Sequence, residues 1–397
     1  MPNASPASPA AASGAAATGP LAGYKVVELA SIVLGPMCGQ YLGDMGADVI
    51  KIEPPEGDLT RALGPQRSTG MSALFLCCNR NKRSMVLNLK DPRERDTAIR
   101  LIAQSDVFVH SVRTQAIERL GLDYPSLRDA NPRLIYCHVK GFSDLGEYAG
   151  LPAYDDVVQA LCGLASLQQV ISGEPRYIPS IMADKISSVH AAYAVALALL
   201  HRERTGLGQE VQVPMFETMV AFNAIEHLWG AAFEPAIGPL GYQALVKGVR
   251  RPYKTRDGYV AFLAYTDAHW ERFFTAIERL DLLADARFAT YLARQRHFED
   301  LWREVRACLE TRSTAEWLQL LLAEDIPHAR VNSLEDLVSD AHLKSIGFWE
   351  LREHASEGLL RMPRNPILMS ASPPGVQRMA PRLGEHTEEI LKEISAG

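Results

Sequence analysis

From Tyr24 onward the chain alternates short runs rich in β-branched residues with stretches of helical periodicity, and this alternation restricts the fold more than any other feature. YKVVELA is followed by GPMCGQYLGDMG, ADVIKIE and SMVLNL, then by a helical pattern over Pro92–Gln104 and by DVFVH. Strands separated by helices do not pair as hairpins; they form βαβ units around a parallel sheet covered on both faces. LIYCHVKGF, residues 134–142, supplies one more strand. The expected class is α/β, with a large doubly wound domain.

The pattern then changes. Between Ala153 and Arg204 it is mostly helical, and SSVHAAYAVALALLHRERTG reads as one long helix that ends in a basic turn and Gly206. EVQVPMF is a short strand, with Pro214 opening another helix. Gly and Pro residues after Gly230 mark a linker. YKTRDGYVAFLA predicts a hairpin turning at Asp257-Gly258, followed by helices near His269–Leu280, Glu299–Glu310 and Ala315–Glu324. FWELREHASEGLLRMPRNPILMS has the texture of two strands around a turn, and LGEHTEEILKEI that of a terminal helix.

A length of 397 residues accommodates two domains. The first twenty residues, all Ala, Pro, Ser, Gly and other uncharged types, read as a disordered tail. The expected division is 1–20 tail, 21–225 together with 332–397 as the large domain, and 226–331 as a smaller α+β domain with linkers.

With 41 basic against 47 acidic side chains, the net charge of −6 offers no footprint for nucleic acid or an anionic membrane. The six cysteines show neither CxxC nor regular spacing, so no zinc site or disulfide framework is expected. Free thiols suit a reducing compartment, and a cytoplasmic location is expected. The most apolar stretch, Ala191 to Leu200, is about half the length of a bilayer span. Glu53 ends the second strand where a ribose-binding acid sits in dinucleotide folds, but Gly35, Gly39 and Gly43 lie four apart on a helix face rather than as GxGxxG in the turn. That spacing predicts close helix packing. No Walker loop, HExxH, EF-hand or GxSxG elbow is present.

Three segments carry chemistry: LASIVLGPMCGQYLGDMGADVIKIEPPEGDLTR, NRNKRSMVLNLK, and LPAYDDVVQALCGL followed by SIMADKISSVHAAYAVALALLHRERTGLGQEVQV. Together with the terminal LGEHTEEIL they resemble the family III CoA-transferases of the formyl-CoA and carnitine type. The resemblance implies a Rossmann-like, CoA-binding large domain built from both chain termini, a smaller domain reached through linkers, and an interlocked homodimer. It implies CoA transfer from an acyl-CoA thioester to a carboxylic acid, with the thioester as substrate and no permanently bound cofactor or metal. The expected partners are acyl-CoA and small acids, succinyl-CoA with a small dicarboxylate foremost, and not nucleic acid or membrane.

Residue by residue, the resemblance assigns the nucleophile to Asp184 in MADKISS, and the lining of the substrate site to Tyr154, Asp155 and Val33. Val33 stands where oxalate-using members carry Gln. CoA falls to Leu87, Asn88, Lys90, Arg113, Arg119 and Leu120, with Lys140 and Arg61 as further candidates. Pro54 and Pro55 replace a basic residue common after KIE, and Ser111-Val112 replaces an Asn-Phe pair. A carboxylate at a helix start is near the positive end of the macrodipole, which favours its ionised form. Such a carboxylate can attack a thioester to give a mixed anhydride, then an aspartyl-CoA thioester. Two alternatives stay open: an α-methylacyl-CoA racemase-type proton shuttle, whose His beside the following Asp is Tyr154 here, and a non-catalytic acyl-CoA-binding protein.

Overall fold

The computed structural model describes residues 18–396. Most of the expected tail, residues 1–17, lies outside the described residues. Two compact units are resolved. The first comprises residues 18–162, 177–222 and 347–396, and the second residues 163–176 and 223–346. The second unit therefore takes in a short segment before the long helix and extends past residue 331.

The first unit is organised by six parallel strands. β1 (Lys25–Leu29), helix α1 (Leu34–Asp44), β2 (Asp48–Glu53), β3 (Lys82–Val86), α2 (Pro92–Ala103), β4 (Val107–His110), α3 (Thr114–Arg119) and β5 (Ile135–Lys140) follow in order. α4 (Asp155–Leu161), the long α5 (Met182–Thr205) and β6 (Gln209–Pro214) complete the series. The strand order is β3-β2-β1-β4-β5-β6, with Val26 opposite both Val49 and Val107. This is the doubly wound order, whose chain path reverses between β1 and β4. The strands are near-continuous apolar runs because helices cover both faces: Val27, Ile50, Phe108 and Tyr136 are buried in one core with Leu101, Ile102 and Ile390.

The glycines at four-residue spacing do pack closely. A Cβ on Gly35 would meet that of Ala30 at 2.2 Å, one on Gly39 would meet Glu28 Oε2 at 2.0 Å, and one on Gly43 would meet Asn81 Cβ at 2.9 Å. α5 ends as its sequence requires, with Gly206 at φ 80° and Arg202 paired to Asp106 at 2.9 Å. By length and composition α5 is apolar enough to cross a membrane, a test that core helices also pass; 44% of its most apolar window is buried within the protein.

In the second unit, β7 (Tyr253–Lys254) and β8 (Tyr259–Phe262) form the expected hairpin. They are followed by α6 (Asp267–Ala276), α7 (Phe298–Leu309), α8 (Thr314–Ala323) and β9 (His328–Arg330), and β9 adds to β8 as an unforeseen third strand. Its core stacks Tyr253 on Trp302 at 4.7 Å and buries Trp317, whose indole N–H donates to Leu309 O. The chain then returns to the first unit through the antiparallel pair β10 (Trp349–His354) and β11 (Gly358–Pro363) and ends in α9 (Thr387–Ala396). Arg83 of β3 fixes that helix, pairing with Glu389 at 2.9 Å and Glu393 at 2.7 Å while also holding Asp48.

Candidate active site

A cavity of about 190 Å³ opens at the carboxyl ends of β1, β4 and β5, entirely within the first unit. Ligands of doubly wound sheets sit at this edge, where the strand order reverses. Ser31 and Ile32 line it after β1, Ser111, Arg113 and Thr114 after β4, His138 to Phe142 at the end of β5, and Ala153, Tyr154 and Asp184 from the helical region. Its volume falls below the roughly 300–1,000 Å³ of sites that enclose a drug-sized ligand. It is large enough for a small organic group and too small to enclose a nucleotide.

Asp184 occupies the third position of α5 and is only 6% exposed. It is not the helix cap, which Ile181 provides without a side-chain bond. Its own N–H instead donates to Asp155 Oδ1 at 3.1 Å. Asp155 is buried and also accepts from Gln159 Nε2 at 2.6 Å, while Gln159 bonds Ser180 O and the Ile178 N–H. The stretch leading into α5 is thus tied down from α4. No donor among the described residues reaches the Asp184 carboxyl group. Burial, with the neighbouring carboxylates of Asp155 and Asp156 adding to it, pushes its pKa up to about 7. This reverses the expectation that the helix start would favour the ionised form. A macrodipole contributes roughly 0.3–1 kcal/mol, whereas a rise from 3.8 to about 7 corresponds to about 4 kcal/mol, so desolvation wins.

The turn from β1 into α1 is held by a buried ion cluster. Glu28 and Lys51 face each other across the β1–β2 register and pair at 2.9 Å. Lys51 also pairs with Asp58 at 2.9 Å and donates to Ala30 O at 2.7 Å. Lys82 reaches Glu28 at 2.8 Å, Asn79 Oδ1 and Pro36 O. Burial draws Lys51 down, but Glu28 and Asp58 outweigh it and hold its pKa above the ordinary lysine value; Lys82 is drawn down by burial despite Glu28. Glu53, the acid considered for a ribose, is buried in a two-pronged pair with Arg61 at 2.7 Å and accepts from Ser84 Oγ.

The cavity brings together some of the expected residues. Tyr154 and Asp184 line it with Arg113, whose guanidinium is exposed. Asp155 does not line it and lies behind Asp184; Val33 is buried at the cap of α1. Leu87 belongs to the hydrophobic core and Leu120 packs against it. Asn88, Lys90 and Arg119 are exposed but outside the cavity. Lys140 lines it, paired with Asp144 and Gln212, whereas Arg61 is consumed by Glu53. Sequence reasoning missed Ile32 and His138. Ile32 adopts φ 70°, which a β-branched residue gives no cue for. His138 stacks on His110 at 4.1 Å; burial, then Lys140, lowers its pKa to about 4, so it is neutral at pH 7.

Comparison with known proteins shows the family. The sequence profile described as CoA-transferase family III matches residues 21–387. The chain belongs to that family. It is an acyl-CoA:carboxylate CoA-transferase, and acyl-CoA is its substrate. The transferase is 33% identical to succinate–glutarate CoA-transferase of Agrobacterium fabrum over 94% of this chain and 96% of the relative. It is 30% identical to formyl-CoA:oxalate CoA-transferase of Escherichia coli O157:H7, covering 94% and 95% of the two chains. Among solved structures, a CaiB/BaiF family protein from Brucella suis superposes with a TM-score of 0.80 at 31% identity, covering 95% of this chain and all of that one. Among the described residues no group of three or more His, Cys, Asp and Glu side chains is placed to hold a metal ion.

Proposed function

We propose that the transferase moves CoA from a succinyl-type donor to a small dicarboxylic acid, with Asp184 as the covalent carboxylate. One observation carries this reading: a buried carboxyl group with no donor among the described residues lines the cavity at the sheet's switch point. A carboxylate whose conjugate acid titrates near 7 is more basic than an ordinary aspartate, hence a better nucleophile, and is still about half ionised at neutral pH. Asp184 attacks the thioester carbon, the C–S bond breaks, and CoA leaves as thiolate from a mixed anhydride. The thiolate then attacks the Asp184 carbonyl, releasing the donor acid and forming an aspartyl-CoA thioester. The acceptor carboxylate displaces CoA to form a second anhydride. Thiolate attack on its acyl carbonyl returns free Asp184 and the new acyl-CoA.

Relatives named for succinyl-CoA, with glutarate, malate or mesaconate as co-substrate, support the choice of donor. Arg113 at the cavity, with Lys90 and Arg119 exposed outside it, supplies cations for the CoA phosphates. Tyr154, at the cavity wall, borders the thioester. We include a homodimer in the reading, supported by Val189, Tyr193, Leu197 and Leu200, which form one exposed apolar face along α5. Light scattering reads that state directly.

The deciding experiment incubates the protein with succinyl-CoA and hydroxylamine, followed by peptide mass analysis. Conversion of Asp184 to a hydroxamate, together with loss of transfer in Asp184→Ala, is expected. An unmodified Asp184 and an active Asp184→Ala protein would overturn the reading. The racemase alternative is checked with a branched acyl-CoA in deuterium oxide: deuterium entering C2, without dependence on an acceptor acid, would favour it.

A further inference from the structure

Of the segment from Ala30 to Leu34, residues Ser31, Ile32 and Leu34 line the cavity, in a conformation the sequence does not favour. Ile32 sits at φ 70°, a left-handed backbone that a β-branched side chain resists. Two pins from the buried ion cluster hold it there. On one side Lys51 Nζ donates to Ala30 O at 2.7 Å; on the other the Ile32 N–H donates to Asp58 Oδ1 at 3.2 Å. Lys51 and Asp58 are themselves paired at 2.9 Å, and Asp58 Oδ1 is fixed by the N–H and hydroxyl of Thr60 at 2.9 and 2.8 Å. The pins therefore form one rigid bracket around the turn.

The bracket leaves donors without acceptors. α1 begins directly after the turn, with Val33 as its cap residue and no side-chain bond to its first turn. The N–H groups of Val33, Leu34 and Gly35 have no acceptor among the described residues, and Pro36 has no N–H. Backbone donors in the interior are nearly always satisfied, so an unmet set beside a cavity calls for a ligand oxygen. An independent feature says which oxygen. The Asp184 carboxyl group, nine-tenths buried and without a donor among the described residues, lines the same cavity as Ser31, Ile32 and Leu34.

We propose that the Ala30–Leu34 turn supplies the oxyanion-stabilising donors of the transfer reaction and that Asp58 is the positioning residue that holds this turn. The inference rests on Asp184 being the acyl-accepting carboxylate. When an Asp184 oxygen bonds to the thioester carbon, the carbonyl electron pair moves onto oxygen, and that oxyanion accepts from the Val33 and Leu34 N–H groups. As the tetrahedral species collapses, the C–S bond breaks, CoA leaves as thiolate and the carbonyl re-forms in the anhydride. The same donors serve the return attack of the thiolate. Donors fixed before the reaction need no reorganisation when charge develops, which is why removing one such group lowers turnover by about 10²–10³-fold.

The test replaces Val33, and separately Leu34, by its α-hydroxy acid through nonsense suppression, which exchanges one N–H for an ester oxygen and leaves the side chain intact. At least one ester is expected to lose about 10²-fold in kcat with little change in KM for succinyl-CoA. Asp58→Ala is expected to lose at least about tenfold in kcat, and adding Ile32→Gly should restore much of it, because glycine holds a positive φ without the bracket. A purely structural role of Asp58 in the ion cluster predicts no such rescue. Wild-type kcat in both esters overturns the proposal, as does a double variant no faster than Asp58→Ala. If Asp58→Ala does not fold, the esters decide alone. Hydroxylamine trapping on the wild type separates the two levels: without a hydroxamate at Asp184 both readings fall, whereas trapping with unaffected esters removes only the role of the turn.

Discussion

The raised pKa of Asp184 makes the proposed nucleophile a stability cost that a single isosteric substitution should expose. Its carboxyl group titrates near 7 in the folded chain and near 3.8 when exposed, so the native state holds the proton more tightly. The associated stability is fully present below pH 3.8 and is lost as pH rises through about 7. At about 1.4 kcal/mol for each tenfold difference, the loss by pH 8 is on the order of 4 kcal/mol. Asp184→Asn keeps the shape and the Asp155 contact to the backbone N–H but never ionises. It should therefore be more stable than the wild type at pH 8 by about 2–4 kcal/mol, with the gap shrinking by up to about 1.4 kcal/mol per pH unit between pH 7 and pH 4. Urea unfolding followed by circular dichroism at pH 5, 6, 7 and 8, with both proteins sharing one m-value, measures this. A gap that does not change with pH, or an Asn variant less stable than the wild type at pH 8, would refute the argument that desolvation sets this residue's chemistry.

Other substitutions test the surrounding structure. Arg61→Ala should cost about 3–5 kcal/mol in urea unfolding, because it strands the buried Glu53 carboxylate and removes a guanidinium lying 3.7 Å over the Phe75 ring. Gly39→Ala should lower stability by several kcal/mol or abolish soluble expression, since its methyl group would press on a Glu28 oxygen that Lys82 holds in place. Arg113→Gln should leave unfolding within about 0.5 kcal/mol of wild type while raising KM for acyl-CoA, with a smaller effect at high salt; an unchanged KM would remove this residue from the CoA site.

What could be read from the sequence follows from the range of the interactions involved. The β-branched runs and their helical spacers fixed the parallel sheet because burial on both faces leaves a local signature. The spacing of Gly35, Gly39 and Gly43 announced a tight face, although not that one contact would be a carboxylate. The hairpin before residue 262 was visible in Asp257-Gly258, while β9 was not, since it pairs across some seventy residues of chain. Within strands, Glu28 and Lys51 look like solvent-facing positions, and only the register of β1 against β2 reveals them as a buried pair. At the site, the alternation and spacing placed nothing; Asp184 and Tyr154 came from resemblance. The turn at Ile32 was hidden because its conformation is imposed by Lys51 and Asp58, each more than eighteen residues away, against the preference of the residue itself.

The buried carboxylates of the first unit divide into two chemical kinds, and the division sets the proposed reactive one apart. Glu53 and Asp58 are both desolvated, yet Arg61 and Lys51 more than offset this and hold their pKa values below the ordinary range. Their oxygens accept hydrogen bonds or, for Asp58 Oδ2, face the Lys51 ammonium, so they are weak bases and fixed in place. Together with Glu28 and Lys82 these groups balance three negative charges with three positive ones, so the cluster contributes rigidity more than a net field. Asp184 has the opposite surroundings: comparable burial, no cation among the described residues paired with it, and two further carboxylates nearby. An acid in that setting is destabilised as an anion, which is what the proposed covalent bond to an electrophilic carbon would relieve. The saturated cluster and the unsatisfied aspartate are complementary halves of one design, in which rigidity is built beside the cavity and basicity is left within it.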